Sequence, residues 1–377
     1  MALKTGRNKH PASQQHGFNT ELEYASYRTQ WPEKTGWCDS NDTSESDAEA
    51  GRDRIVQQTD QDASSSRMSA VSLGYLDDPF TRGLYPPGDD VPKRYPIINR
   101  GTYIRTKAID QLVTRFLEAS PKQNKQIISL GAGSDTRFFR FWADRAFEES
   151  GVQYHELDVE ANVNRKRGMI RGSSQLSGYV DQAEKGSSFY RLHAIDLRDL
   201  TAKSPPIIPG LDAELPTLLI SECCLCYLPP DAAASVLQYF TMHVRAPLAL
   251  VLYEPIRPFD AFGKTMVSNL ASRGIHLQTL KRYSSLEAQR HRLRLAGFDT
   301  GQGARDVYQL WESNEWTSQA ERDRVERLEW LDEIEEWKLL ASHYCVAWGW
   351  RGDIFDEAWK DLNGARSNAE AKDHELG

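Results

Sequence analysis

Glycines and acidic residues recur where short apolar runs of this chain end, and that placement has chemical consequences. Gln126–Leu130 runs into Gly131-Ala132-Gly133. Val152–Asp158 ends on Asp158, Tyr190–Asp196 on Asp196 followed by Leu197, Thr217–Glu222 on Glu222, and Pro247–Glu254 on Tyr253-Glu254. A Gly-x-Gly after a strand lets the backbone approach a ligand without a Cβ in the way. A dinucleotide site would place a third glycine three residues on, with the pyrophosphate at the helix N-terminus. Thr136 stands there instead, and Asp135 sits in the first helical turn, where a carboxylate repels a pyrophosphate and accommodates a cation. Asp158 can accept hydrogen bonds from two vicinal ribose hydroxyls, a device shared by nicotinamide and S-adenosyl cofactors. Asp196 suits an adenine amino group and the Leu197 N–H a ring nitrogen, although an Asx turn before Arg198-Asp199 explains Asp196 equally well. Taken together, the acids favour S-adenosylmethionine over a pyrophosphate-bearing cofactor.

The carboxylate of such a cofactor calls for a guanidinium, whose planar fork pairs bidentately. Arg105 is the candidate, expected to open the helix before the first strand, with Arg100 as its rival. Arg67 could fold over the pocket from the N-terminal side. Cys223, Cys224 and Cys226 lack the second Cys or His pair that a tetrahedral zinc site needs, so small buried fillers are the better account and no metal is expected. Neither a nucleophile elbow nor a phosphate-binding loop is present.

These residues need a frame of alternating strands and helices. Further strands are expected at Asp306–Trp311 and His343–Trp350. Helices are expected at Thr102–Ala119, Asp135–Arg145, Asp231–His243, Asp260–Ser272, Ser285–Ala296, and over a long span from Asn314 to Ala341. In that span Leu328, Leu331, Ile334, Trp337 and Leu340 make one apolar stripe. Alternation implies a doubly wound, mostly parallel sheet covered on both faces, with one of the last two strands antiparallel. Residues 1–66 are polar and read as a disordered extension, 67–360 as the catalytic domain, and 361–377 as a flexible tail. The segments 172–188 and 202–216 read as loop insertions. With 377 residues, 40% hydrophobic content and a net charge of −8, nucleic-acid or anionic-membrane binding is not the default. The N-terminal residues MALKTGRNKHPASQQHG have no apolar core for a signal peptide. Three of the five cysteines crowd at 223–226 with Cys38 and Cys345 far off, so no disulfide framework is visible, which suggests a reduced, cytoplasmic protein, with the nucleus also open.

The blocks AVSLGYLDDPF (70–80), INRGTYIRT around Arg105, IISLGAGSDTRFFR (127–140), YHELDV (154–159), AIDLRDL (194–200), LPTLLISECCLCYL (215–228) and RLEWLDEIEEW (327–337) resemble the leucine carboxyl methyltransferase family. The resemblance implies a class I methyltransferase (Rossmann-like) sheet of about seven strands with extra helices as a substrate lid. It also implies S-adenosylmethionine as cofactor and methyl esterification of the C-terminal leucine of protein phosphatase 2A catalytic subunits, by a monomer. Carried over, Arg67, Arg105, Gly131, Asp158, Asp196, Leu197 and Glu222 would bind the cofactor. Arg105 and Tyr227, with Arg100, would bracket the reacting carboxylates, and side chains near Tyr75 and Phe80 would receive the leucine. The rival readings are a methyltransferase of the same fold acting on another carboxylic acid or a tRNA base, a nicotinamide-dependent oxidoreductase, and a phosphatase-binding scaffold without turnover.

Overall fold

The structure, a computed structural model, describes residues 45–363 apart from positions 87, 92, 148–150 and 187. The chain divides into Met1–Ala48 and Glu49–Gly377, and the second unit is described below. Its strands are β1 (Lys125–Leu130), β2 (Val152–Asp158), β3 (Phe189–Ala194), β4 (Thr217–Glu222), β5 (Leu248–Pro255), β6 (Gly301–Asp306) and β7 (Tyr344–Arg351). They form one sheet in the order β3-β2-β1-β4-β5-β7-β6. The first five pair in parallel, whereas β7 runs antiparallel to both neighbours. One reversed strand near the end is what the sequence suggested. This is a doubly wound, Rossmann-like sheet, and its order reverses direction between β1 and β4, so a crevice opens at their carboxyl ends.

The central strands are apolar throughout because both faces are covered. Successive residues serve opposite cores. Ile127, Leu218, Ile220, Ala249 and Val251 face one cluster that includes Phe116, Phe138 and Trp359. Ile128, Leu130, Leu219, Leu248 and Leu250 face the other, with Val236, Phe240 and Leu293.

The helices are α1 (Glu45–Ser72), α2 (Pro96–Glu118), α3 (Arg137–Ala143), α4 (Glu160–Gly172), α5 (Ser174–Lys185), α6 (Pro230–His243), α7 (Ala261–Ser272), α8 (Leu286–Leu295), α9 (Val307–Glu312), α10 (Gln319–Glu326), α11 (Ile334–Ser342) and α12 (Asp353–Trp359). Several expectations need correction. Residues 45–66 belong to α1 instead of a disordered extension, while the rest of 1–66 and positions 364–377 of the tail lie outside the described residues. Arg105 lies within α2 and does not open it, because the helix already starts at Pro96, which is well suited to a first turn. Segment 172–188 carries the helix α5, capped by Ser173 and anchored by Leu176 and Ala183.

The run Asp306–Trp311 is helical, and the strand precedes it. Asp306 caps α9 and Gln309 closes a capping box, which overrides the β-branched and aromatic content of the run. Gly301 in β6 makes room for the Trp350 ring, since a Cβ there would lie 2.2 Å from it. The long helix over 314–341 is two helices. Between them Glu329 turns inward to the Asn99 Nδ2 at 2.8 Å, so the apolar stripe is split and Ile334 is exposed.

His155 on β2 and His193 on β3 form a buried pair, Nδ1 to Nε2 2.9 Å, one ring donating to the other. Burial, then His193, holds His155 down to about 3. Burial, then Arg191, holds His193 down to about 4. Both stay neutral when folded but bind protons when unfolded below about pH 6.5. Their contribution is therefore present above that pH and lost as pH falls toward 4, by roughly 2 kcal/mol at pH 5 for one such histidine. The urea midpoint should drop between pH 7 and 5, and the drop should shrink in a His155→Gln/His193→Gln variant. An equal drop in that variant would assign the acid sensitivity elsewhere.

Candidate active site

A cavity of about 670 Å³ opens at the crevice. The turn after β1, the ends of β2, β3 and β4, and the helices α1, α2 and α11 all line it. Gly131 (φ +63°) and Gly133 (φ +47°) hold left-handed backbone that favours glycine. Both are also pressed close. A Cβ on Gly131 would lie 2.5 Å from the Cys224 Sγ, and one on Gly133 would lie 2.2 Å from an Asp60 oxygen.

Glu222, at the end of β4, is gripped from two sides. Arg105 Nε donates to Oε2 at 2.6 Å and Arg137 Nη2 to Oε1 at 2.9 Å. Burial works against its ionisation, but the two guanidiniums prevail and hold it below the usual carboxylate range. Arg105 also lies 4.5 Å over the Tyr253 ring, and among the described residues its terminal NH₂ groups take no hydrogen-bond partner. Arg137 is almost fully buried. It joins Glu222 to Asp110 (2.9 Å) and to Asp135 (2.5 Å). Asp135, expected to face the ligand as a free charge, is thus neutralised at close range.

The other predicted residues divide. Arg67 lines the cavity, held by Asp78 at 2.7 Å, with its Nη2 buried and unpartnered. Asp158 accepts from the N–H of Gly133 (2.7 Å) and Val159 (2.7 Å) and from Asn162 Nδ2 (2.9 Å). A carboxylate offers about four lone-pair sites, so one remains, where the sequence reading asked for two. Asp196 and Leu197 line the cavity, Asp196 bound by Arg198 and the Leu197 N–H without a partner among the described residues. Tyr227 also lines it, as does Thr59.

Three residues do not belong. Arg100 is buried against the Trp311 and Trp337 rings, which meet edge to face, 4.7 and 5.5 Å from their centroids, and it lies outside the cavity lining. Tyr75 and Phe80 are core residues, Phe80 packing on Phe139 and Tyr179. Among the described residues, no three His, Cys, Asp or Glu gather to hold a metal ion.

The largest contribution that sequence reasoning missed comes from α1. Asp60 accepts from the Ser134 N–H (2.7 Å) and hydroxyl (2.8 Å) and pairs with Arg165 (2.5 Å). Asp53 pairs with Arg198 at 2.6 Å, and Asp62 pairs with Arg273. The three acids at 53, 60 and 62 were the available signal, but they sit in a helix with no apolar stripe. Consequently every cavity-lining acid among the described residues has an arginine partner except Asp158, which only N–H groups hold.

Arg137→Met takes one partner from Asp110 and Glu222, which keep Arg140 and Arg105, and leaves Asp135 without its ion pair, which should cost about 3–5 kcal/mol of stability. Arg137→Lys should recover part of this, having the charge without the fork. Urea unfolding measures both, and a loss under 1 kcal/mol for the methionine variant would deny the network its structural role.

Known proteins bear on this geometry. The leucine carboxyl methyltransferase family matches residues 55–241. Leucine carboxyl methyltransferase 1 of Aspergillus fumigatus is 52% identical over 84% of this chain and 88% of its own length. The Schizosaccharomyces pombe protein of that name is 37% identical over 80% of this chain and 96% of its own. The Arabidopsis thaliana homolog is 36% identical over 78% and 88%. Identity at this level across nearly the whole described chain leaves one conclusion: the chain belongs to the leucine carboxyl methyltransferase family.

Proposed function

We propose that this chain transfers the methyl group of S-adenosylmethionine to the α-carboxylate of a C-terminal leucine, on the catalytic subunit of a type 2A protein phosphatase. The observation that carries this reading is the held guanidinium of Arg105, with its terminal NH₂ groups open on a cavity that ends in the glycine turn. Such a fork suits the carboxylate of an amino-acid-bearing cofactor. The unpartnered Arg67 Nη2 is a second donor nearby. The open acceptor site on Asp158 suits a ribose hydroxyl, and the free Leu197 N–H suits an adenine nitrogen. Asp196 is taken up by Arg198, through its N–H, Nε and Nη2, so an adenine amino group would share that carboxylate with the guanidinium. A pyrophosphate fits poorly, because Asp60 already takes the Ser134 N–H that such a group would use. The leucine and its carboxyl come from the family name.

When bound, S-adenosylmethionine supplies a methyl carbon made electrophilic by a positive sulfur. A C-terminal carboxylate, with a pKa of about 3.3–3.7, is ionised at neutral pH and needs no general base. The chain's own residues therefore position and dehydrate. Orientation of two reactants supplies on the order of 7–11 kcal/mol in favourable cases. Glu222 and Tyr253 fix Arg105, and Gly131 lines the part of the cavity where the cofactor would be held. Helix α1 covers the glycine turn through Asp60. Tyr227, which also lines the cavity, is the side chain we assign to the substrate carboxylate.

Calorimetry with S-adenosylhomocysteine should show binding that Arg105→Ala weakens by about 10–150-fold, the value of one charge-assisted hydrogen bond at 1.5–3 kcal/mol. Labelled methyl should reach a phosphatase catalytic subunit and vanish when its terminal leucine is deleted. Label indifferent to the deletion would overturn the leucine assignment, and preferential binding of a nicotinamide dinucleotide would overturn the cofactor.

A further inference from the structure

Cys223 and Cys226 stand three residues apart, directly after Glu222. Cys223 lines the cavity and is partly exposed, whereas Cys226 is buried beneath it. Cys223 adopts the left-handed region at φ +49°, and a short 3-10 turn over Leu225–Tyr227 carries Cys226 back beside it, close enough for each thiol to perturb the other. Backbone bonds hold the turn. The Cys223 N–H donates to the Tyr253 carbonyl at 2.8 Å, and the Cys226 carbonyl accepts from the Gln278 N–H at 2.8 Å. The remaining described cysteines are placed differently. The Cys224 Sγ packs against Gly131, and Cys345 is buried in β7.

We propose that Cys223 and Cys226 are a peroxide-sensitive pair whose disulfide deforms the cofactor pocket, and that an occupied pocket shields them. The link to the cofactor rests on the function proposed above, whereas the disulfide does not. The neighbouring Cys226 thiol and the Arg105 guanidinium lower the Cys223 thiol against burial, Glu254 and Glu222. The same contact and burial raise Cys226. Cys223 is therefore the first to ionise, as in other Cys-x-x-Cys pairs.

The chemistry balances with hydrogen peroxide as oxidant. The Cys223 thiolate attacks one peroxide oxygen, the O–O bond breaks, hydroxide leaves, and a sulfenic acid forms. Cys226 then attacks the Cys223 Sγ and loses its proton, the S–O bond breaks, and water leaves with that proton. Two thiols and one peroxide give one disulfide and two waters. Bringing the two sulfurs to about 2.05 Å draws the turn together. That turn carries Glu222, Cys223, Cys224 and Tyr227, all of which line the cavity.

The test uses the full, reduced chain exposed to graded hydrogen peroxide, with and without S-adenosylhomocysteine. Alkylation and peptide mass read the thiols, and calorimetry reads affinity. The expected result is a 223–226 disulfide in the free protein and an affinity at least tenfold lower, restored by dithiothreitol. Formation should be at least tenfold slower with the nucleoside bound. Cys226→Ser should still bind when reduced, form no disulfide, and lose affinity in a way that dithiothreitol does not restore after strong oxidation. If serine disturbs the fold, Cys226→Ala serves. Persistence of both thiols at doses that oxidise other cysteines, pairing with Cys224 instead, or unchanged affinity after disulfide formation would each overturn the proposal. Absence of nucleoside binding to reduced protein, with the disulfide still forming, would count against the cofactor reading alone.

Discussion

The site is organised around the carboxylate of Glu222, at the end of β4 and buried between Arg105 and Arg137. A carboxylate taken out of water is costly unless it is paired and hydrogen-bonded on all sides. Here the cost is offset by two guanidiniums that come from different helices, α2 and α3. That pairing ties the helix preceding β1 and the one following it to the strand beside it. It also fixes Arg105 so that its free edge is presented without the entropy of a loose side chain.

Charge compensation extends through the rest of the pocket. Asp135 leans on Arg137, Asp60 on Arg165, Asp62 on Arg273, and Asp53 and Asp196 share Arg198. The acids do not sum to a negative ring around the ligand, as their sequence positions alone suggest. Asp158 stands apart because backbone and amide N–H groups hold it, which leaves its charge facing the cavity without an opposing cation. Burial raises its carboxyl and those N–H groups oppose the rise. A hydroxyl donor entering beside it would meet an acceptor that no arginine has claimed.

Helix α1 shows how a segment of disordered-looking composition can be ordered. It buries little apolar surface along its polar length, so its own pattern predicts no helix. Its acids are matched by arginines and by a serine that lie far away in sequence, at 134, 165, 198 and 273. Order comes from the partner surface, and a periodicity argument is blind to such partners.

The sequence by itself determined the parallel sheet, because buried strands must be apolar on both faces. It also placed glycine, aspartate and glutamate at the strand ends, because a doubly wound topology brings those ends together. β1 to β5 and β7 were legible for that reason. The strand at 301–306 was not, because its residues are small and polar and its stability comes from pairing with β7 beneath Trp350. Only the tertiary structure decided which arginine meets which acid. Arg100 was drawn against a pair of tryptophan rings and Arg137, unremarked in the sequence, became the centre of the network. Charge pairing depends on distances across the fold, and the order of residues along the chain does not encode them locally.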